Sequence, residues 1–241
     1  MKKWSVLSTI LASLILGFSG NLWGADATFD VTANSAYVWR GITFNDGAVL
    51  QPSLDVTKGG FGMNVWGNYD LDDYDDTLDN GQFSEIDLTL SYGFAIKSVD
   101  MSVGYIEYLF PNASPALPAG REVFVTCGVE PIKGLSLGLA VYYEIDEVED
   151  IYASISAAYG YSISEALSVE IGVSAGYVGK DYSVVGEAGM NDICASLSAS
   201  YAVNEALGVT AGIYYADTLD EDVLPEQDVT TYGGIGASYT F

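Results

Sequence analysis

From Thr231 to the end of the chain, apolar and polar positions alternate. Thr231, Gly233, Ile235, Ala237, Tyr239 and Phe241 form one set, and Tyr232, Gly234, Gly236, Ser238 and Thr240 the other. The first set is mostly apolar and ends in two aromatics; the second is small or polar. A period of two is that of a strand with one apolar face. Upstream the same pattern predicts eleven more strands. The first runs from Thr28 to Trp39, with Phe29, Val31, Ala33, Tyr37 and Trp39 on one face. The next five are expected at 49–57, 61–69, 82–94, 99–109 and 121–130. A further five are expected at 135–143, 151–162, 167–178, 193–203 and 207–216. The seventh alternates most regularly, with Leu135, Leu137, Leu139, Val141 and Tyr143 against Ser136, Gly138, Ala140 and Tyr142.

The connections alternate in length. Lys58-Gly59-Gly60, Ile96-Lys97-Ser98, Ile132-Lys133-Gly134, Ser164-Glu165-Ala166 and Asn204-Glu205-Ala206 read as tight turns. Longer polar stretches lie near 40–48, 70–81, 111–120, 144–150, 179–190 and 217–227. Short turns on one side and long loops on the other are the organisation of a bacterial transmembrane barrel. Glu165-Ala166-Leu167-Ser168-Val169 recurs forty residues on as Glu205-Ala206-Leu207-Gly208-Val209, which fits one hairpin every ~30–40 residues. The fold expected is all-β: a transmembrane antiparallel up-and-down barrel of about twelve strands over residues 28–241. The terminal Tyr239 and Phe241 resemble the closing strand that such barrels present to the barrel-assembly machinery.

The first residues fit a secretory signal. Met1-Lys2-Lys3 is basic, Val6 to Phe18 is an almost unbroken apolar run, and Ala25-Asp26-Ala27 fits a cleavage site. A leader over 1–25, cut between 24 and 27, is expected. Past it no run of eighteen apolar residues occurs, which excludes a membrane helix but not a barrel.

Charge narrows the function. The chain carries 8 basic and 33 acidic residues; losing Lys2 and Lys3 would leave six bases against up to 33 acids, near −27. Nucleic acid is excluded as a partner. Disorder is excluded too, because 49% of residues are hydrophobic and 13% aromatic. The absence of histidine excludes a Ser–His hydrolase, and Gly172-Val173-Ser174-Ala175-Gly176 lies within a strand rather than at a strand-to-helix elbow. The acids at 70–87 miss the EF-hand pattern, because Leu78 falls where a ligand belongs. No enzyme activity, cofactor or metal site is predicted. Cys127 and Cys194 have opposite phases, one with the lipid-facing set and one with the lumen-facing set, so no disulfide is expected.

Charges facing lipid are costly, so the polar set must face inward. The pore-lining residues expected are Arg40, Asp55, Trp66, Glu85, Asp87, Glu130, Glu144 and Glu170. Arg40 is placed at the loop side of the first strand, near Glu85 and Asp87. The rest of the inward set is largely Ser, Gly, Thr and Ala. Twelve strands fall between the filled interior of eight and the wide channel of sixteen, which predicts a narrow aqueous pore.

Three stretches carry a family resemblance: Tyr37-Val38-Trp39-Arg40-Gly41-Ile42, Val65-Trp66-Gly67-Asn68 and Glu85-Ile86-Asp87-Leu88. They resemble the TorF-like (Gcw_chp) family of bacterial outer-membrane porins, mainly over residues 28–94. The resemblance implies a barrel in the outer membrane of a Gram-negative bacterium, in contact with lipid, that acts as a channel. Together with the inward acids it predicts passive diffusion of small cationic or neutral solutes. The alternative is a closed barrel whose acidic loops serve surface recognition or divalent-cation binding. The sequence does not set the oligomeric state.

Overall fold

The computed structural model describes residues 24–74, 79–113 and 116–241. The leader predicted over 1–25 lies almost wholly outside the described residues. Fourteen strands follow in order: β1 (Asp26–Asn34), β2 (Tyr37–Trp39), β3 (Ile42–Asn45), β4 (Val49–Lys58), β5 (Phe61–Asp70), β6 (Gln82–Ile96) and β7 (Val99–Leu109). Then come β8 (Gly120–Ile132), β9 (Leu135–Glu144), β10 (Ile151–Ser162), β11 (Leu167–Val178), β12 (Gly189–Ala202), β13 (Leu207–Thr218) and β14 (Thr231–Thr240).

Twelve of them form a closed antiparallel barrel in which every strand pairs with its neighbour in sequence, and β1 pairs with both β4 and β14. Phe29 sits opposite Tyr239 at the seam. Closure leaves no unpaired sheet edge, a requirement for a sheet in lipid. The alternation sorts the two faces. Ile155, Ile171, Ile213 and Ile235 are 60–65% exposed on the outside, although they are among the most apolar residues present. The buried polar residues, including Asn68, Glu85, Glu122 and Asp192, are inside. A soluble protein has the reverse arrangement, so this surface is a lipid-facing belt.

The tight turns and both barrel ends, Asp26 and Thr240, share one rim, because Asp26 pairs with Thr57 and Thr28 with Thr240. At Gly59-Gly60 both residues have positive φ, 56° and 88°, the two-residue turn that matches strand twist. By the loop-length rule this rim is periplasmic and the long-loop rim extracellular.

The first predicted strand needs correction. β1 ends at Asn34, where Ser35 N–H donates to Gly233 O (2.9 Å) and Ser35 Oγ accepts from Gly233 N–H (3.1 Å). The chain then leaves the wall. β2 and β3 pair only with each other, so Tyr37 and Trp39 are not lipid-facing wall residues. They belong to a hairpin folded into the barrel. Alternation reports which side chains share a face, not what covers that face, and a protein-filled interior takes the same residues as lipid.

Candidate constriction in the barrel lumen

The hairpin turns at Arg40-Gly41, with φ of 51° and 82°. Two consecutive positive φ values define the tight turn that glycine adopts freely and most other residues do not. Arginine at the first position is strained, so its surroundings must hold it there. At Gly41 an added Cβ would fall against the Cβ of Asp192 and the side chain of Leu224, so the turn is also pressed against β12 and the β13–β14 loop.

Aromatic and polar contacts carry the hairpin across the lumen. Tyr37 packs on Trp66 of β5 and Phe44 of β3, with centroids 5.6 and 5.3 Å away, and its hydroxyl donates to Glu85 Oε2 (2.8 Å). Trp39 lies edge-on to Tyr108 of β7 at 5.8 Å. Asn45 Nδ2 donates to Asp70 Oδ1 (2.8 Å). Above the hairpin, the β13–β14 loop lies across it: Gln227 Oε1 accepts from Thr43 N–H (3.0 Å), Thr43 Oγ1 accepts from Val229 N–H (3.2 Å), and Leu224 is fully buried.

Arg40 ends the span on the wall opposite β1. Its guanidinium meets the Glu122 carboxylate through two parallel bonds, Nη1 to Oε1 at 2.7 Å and Nη2 to Oε2 at 2.9 Å. This forked pairing is the strong form of an Arg–carboxylate contact. Tyr108 and Tyr182 donate to the same carboxylate at 2.8 and 2.7 Å, so Glu122 accepts four hydrogen bonds while only 1% exposed. Tyr182 also accepts from Arg40 Nη1. The guanidinium carbon lies 4.1, 4.4, 4.3 and 5.5 Å from the ring centroids of Trp39, Tyr142, Tyr152 and Tyr182. All are within cation–π range. Asn191 Nδ2 holds the Arg40 carbonyl (2.8 Å), and Tyr152 donates to Asp192 (3.1 Å).

The electrostatics favour keeping the charge. Burial alone would lower the Arg40 pKa, but the hydrogen bonds to the Glu122 carboxylate and its charge outweigh it and raise it above its ordinary value. The Tyr182 phenol is pushed well up, first by burial, then against the opposing Arg40 charge by Glu122. Arg40 therefore stays charged and Tyr182 protonated.

Residues 23–227 match the family described as bacterial protein of unknown function (Gcw_chp). The chain belongs to the Gcw_chp family. The first of the three stretches that resemble the family, Tyr37 to Ile42, forms most of the lumen hairpin of this Gcw_chp barrel. No curated protein matches the sequence. Among solved structures, the KdgM porin is similar in fold at a TM-score of 0.58 and 11% identity, over 89% of this chain and 99% of that one. The NanC porin gives 0.57 and 12%, over 88% and 98%. An outer membrane channel from Pseudomonas putida F1 gives 0.52 and 10%, over 90% and 94%. With the apolar belt, this fold makes the Gcw_chp chain a barrel of the bacterial outer membrane.

The residues expected to line the pore lie at different depths in the Gcw_chp barrel. At the extracellular end Trp66 and Glu85 meet Tyr37 of the hairpin, and Asp87 pairs with Trp66 across the β5–β6 ladder. Asp87 Oδ1 is buried without a hydrogen bond. Asp55 accepts from Asn64 (2.9 Å) and Ser53 (3.3 Å) in the periplasmic half. There Glu130 and Glu170 line a cavity of about 620 Å³ with Ser162, Ser168, Ser198 and Ser200. Glu144 is turned into the β9–β10 loop, where it accepts backbone N–H groups of Arg121, Asp146, Val148 and Glu149 at 2.6–3.3 Å. Arg40 is inside, but on the hairpin rather than the wall, and its partner is Glu122 rather than Glu85 or Asp87. The pair carries its field to β8 because the hairpin is long enough to cross the lumen.

Sequence reasoning missed Glu122, Asp192 and Tyr182. The first two were within reach: Glu122 shares its phase with Glu130, and Asp192 with Cys194. Tyr182 sits in a loop, where no periodicity assigns a side. Cys127 and Cys194 are both free, and Cys194 faces the interior, 3.7 Å from Asp192 Oδ2. Among the described residues no group of three or more acidic or cysteine side chains is arranged to hold a metal ion.

Proposed function

We propose that this barrel is a passive outer-membrane channel for small cationic or neutral solutes, with the β2–β3 hairpin as its constriction. The observation that carries the reading is the sign of the interior. Asp30, Asp55, Glu85, Asp87, Glu130 and Glu170 face it; of the bases, Arg40 is neutralised by Glu122 and Lys133 shares the periplasmic cavity with Glu130 and Glu170, so acids stay in excess. Clustered carboxylates concentrate cations and repel anions. Their reach is about a Debye length, ~10 Å at 0.1 M salt, so a narrow lumen lies within it. A cavity of about 300 Å³ beneath the hairpin is lined by Asp30, Thr32, Asn34, Gln51 and Trp66 among others. One KdgM porin structure is a complex with disordered oligogalacturonate. An acidic oligosaccharide of that kind would be repelled by the carboxylates here, so the shared fold does not extend to a shared solute.

The test is a reversal potential across a planar bilayer under a salt gradient. The purified protein is expected to pass cations over anions, less so as salt rises. Glu85→Gln with Asp87→Asn is expected to reduce that preference while the barrel stays folded. A pore that prefers anions, or a double variant with the wild-type reversal potential, defeats this reading of the lumen. Absence of any conductance would favour the closed barrel with working loops.

A further inference from the structure

Arg40 occupies a site whose parts suit its own chemistry. Four aromatic rings face one guanidinium, and one buried carboxylate offers it two oxygens in a plane. The carboxylate is preset: Tyr108 and Tyr182 take up its remaining lone pairs, so its open edge points only at the guanidinium. These wall and loop groups come from β7, β8, β9, β10 and the β11–β12 loop, and Arg40 and Trp39 alone belong to the hairpin. Withdrawal of the hairpin would leave a buried Glu122 uncompensated, with Tyr142, Tyr152 and Tyr182 around it. That is a receptor for a planar cation, standing at the extracellular mouth.

We propose that this cage is a guanidinium-recognition site of the lumen, with Arg40 as its built-in occupant, replaced by guanidinium-bearing solutes when the hairpin moves aside. The solute's passage rests on the channel reading; the binding itself does not. The geometry selects among cations. An ammonium is a point charge that cannot use both Glu122 oxygens along parallel bonds, whereas a guanidinium can, and it also lays a flat face on the rings. The tether matters too. A side chain on a short connection acts at an effective concentration of about millimolar, so it masks the site against dilute solute.

Arg40→Gly empties the cage at small cost to the turn, because φ of 51° suits glycine better than arginine. The folded variant in detergent micelles is titrated calorimetrically with methylguanidinium, methylammonium and methylurea. Methylguanidinium is expected to bind R40G at least about tenfold more tightly than it binds wild type, and about tenfold more tightly than methylammonium does. Methylurea, flat but neutral, is expected not to bind. Adding Glu122→Gln to R40G is expected to abolish the binding. Equal affinity for wild type and R40G, or for methylguanidinium and methylammonium, overturns the proposal, as does binding that survives Glu122→Gln. If R40G does not give a heat-modifiable barrel, Arg40→Asn replaces it, since asparagine also tolerates this conformation. Failure of both to fold, with no recovery when methylguanidinium is present during refolding, also overturns it. A barrel that binds methylguanidinium but never conducts keeps the site and defeats the channel, and the converse result defeats only the site.

Discussion

Replacing Glu122 with Gln tests what holds the hairpin across the lumen. The side chains of Arg40 and Glu122 are 8% and 2% exposed, so solvent screens their attraction little. Two unit charges ~4 Å apart attract by about 4 kcal/mol at an effective dielectric of 20. Removing one partner of a buried pair typically costs about 3–5 kcal/mol, because the other charge is left uncompensated. Glutamine keeps one acceptor oxygen, but its amide would point N–H groups at Arg40 Nη2, which cannot accept, and the Tyr108 hydroxyl would have to turn from donor to acceptor. The loss should fall on the hairpin, since the twelve-strand ladder closes without β2 and β3. At 1.4 kcal/mol per tenfold, the withdrawn hairpin would gain about two to three and a half orders of magnitude in population. Hydrogen exchange at the amides of β2 and β3 should then accelerate by about a hundredfold or more, with the barrel strands unchanged. In the bilayer, single-channel conductance or open time should rise. Heat-modifiable mobility should stay as in wild type. Unchanged exchange and unchanged conductance in a folded E122Q barrel would refute the reasoning, and the pair would then be only one of many contacts holding the hairpin.

Two further outcomes test other parts of the structure. Protein denatured without reductant should show two free thiols, because Cys127 is on the lipid side of the wall and Cys194 on the lumen side; a Cys127–Cys194 disulfide in mass spectrometry would contradict the registers of β8 and β12. Deleting Phe241, or changing it to Asp, should lower the yield of folded barrel in the outer membrane, since Phe241 N–H bonds Ala27 O (3.0 Å) at the seam and its ring packs edge-on to Tyr239 at 5.1 Å. Unchanged yield and mobility would count against an assembly role for that residue.

The barrel wall was legible in the sequence because its determinant is local. A strand between lipid and water shows a period of two, and β7, β10 and β11 lie at 99–109, 151–162 and 167–178, as that period predicts. Tight turns at Lys58 to Gly60 and Lys133 to Gly134 then fixed which rim was which. The same period puts Asp55, Glu85, Asp87 and Glu170 in the polar phase of their strands, where the cost of a charge in lipid favours the inner face. The hairpin was not legible. Tyr37 and Trp39 continue the phase of Phe29, and nothing local distinguishes a ring that faces lipid from one that packs on Trp66 or Tyr108 inside. A twelve-stranded membrane barrel follows from the sequence alone, because alternation and desolvation act residue by residue. Only the tertiary structure decided that residues 35–48 turn into the lumen and that Arg40 meets Glu122, 82 residues away on the opposite wall. That pairing depends on the closed ring, in which β7 to β10 stand opposite β1 and bring the Glu122 carboxylate and the rings of Tyr142 and Tyr152 to one guanidinium.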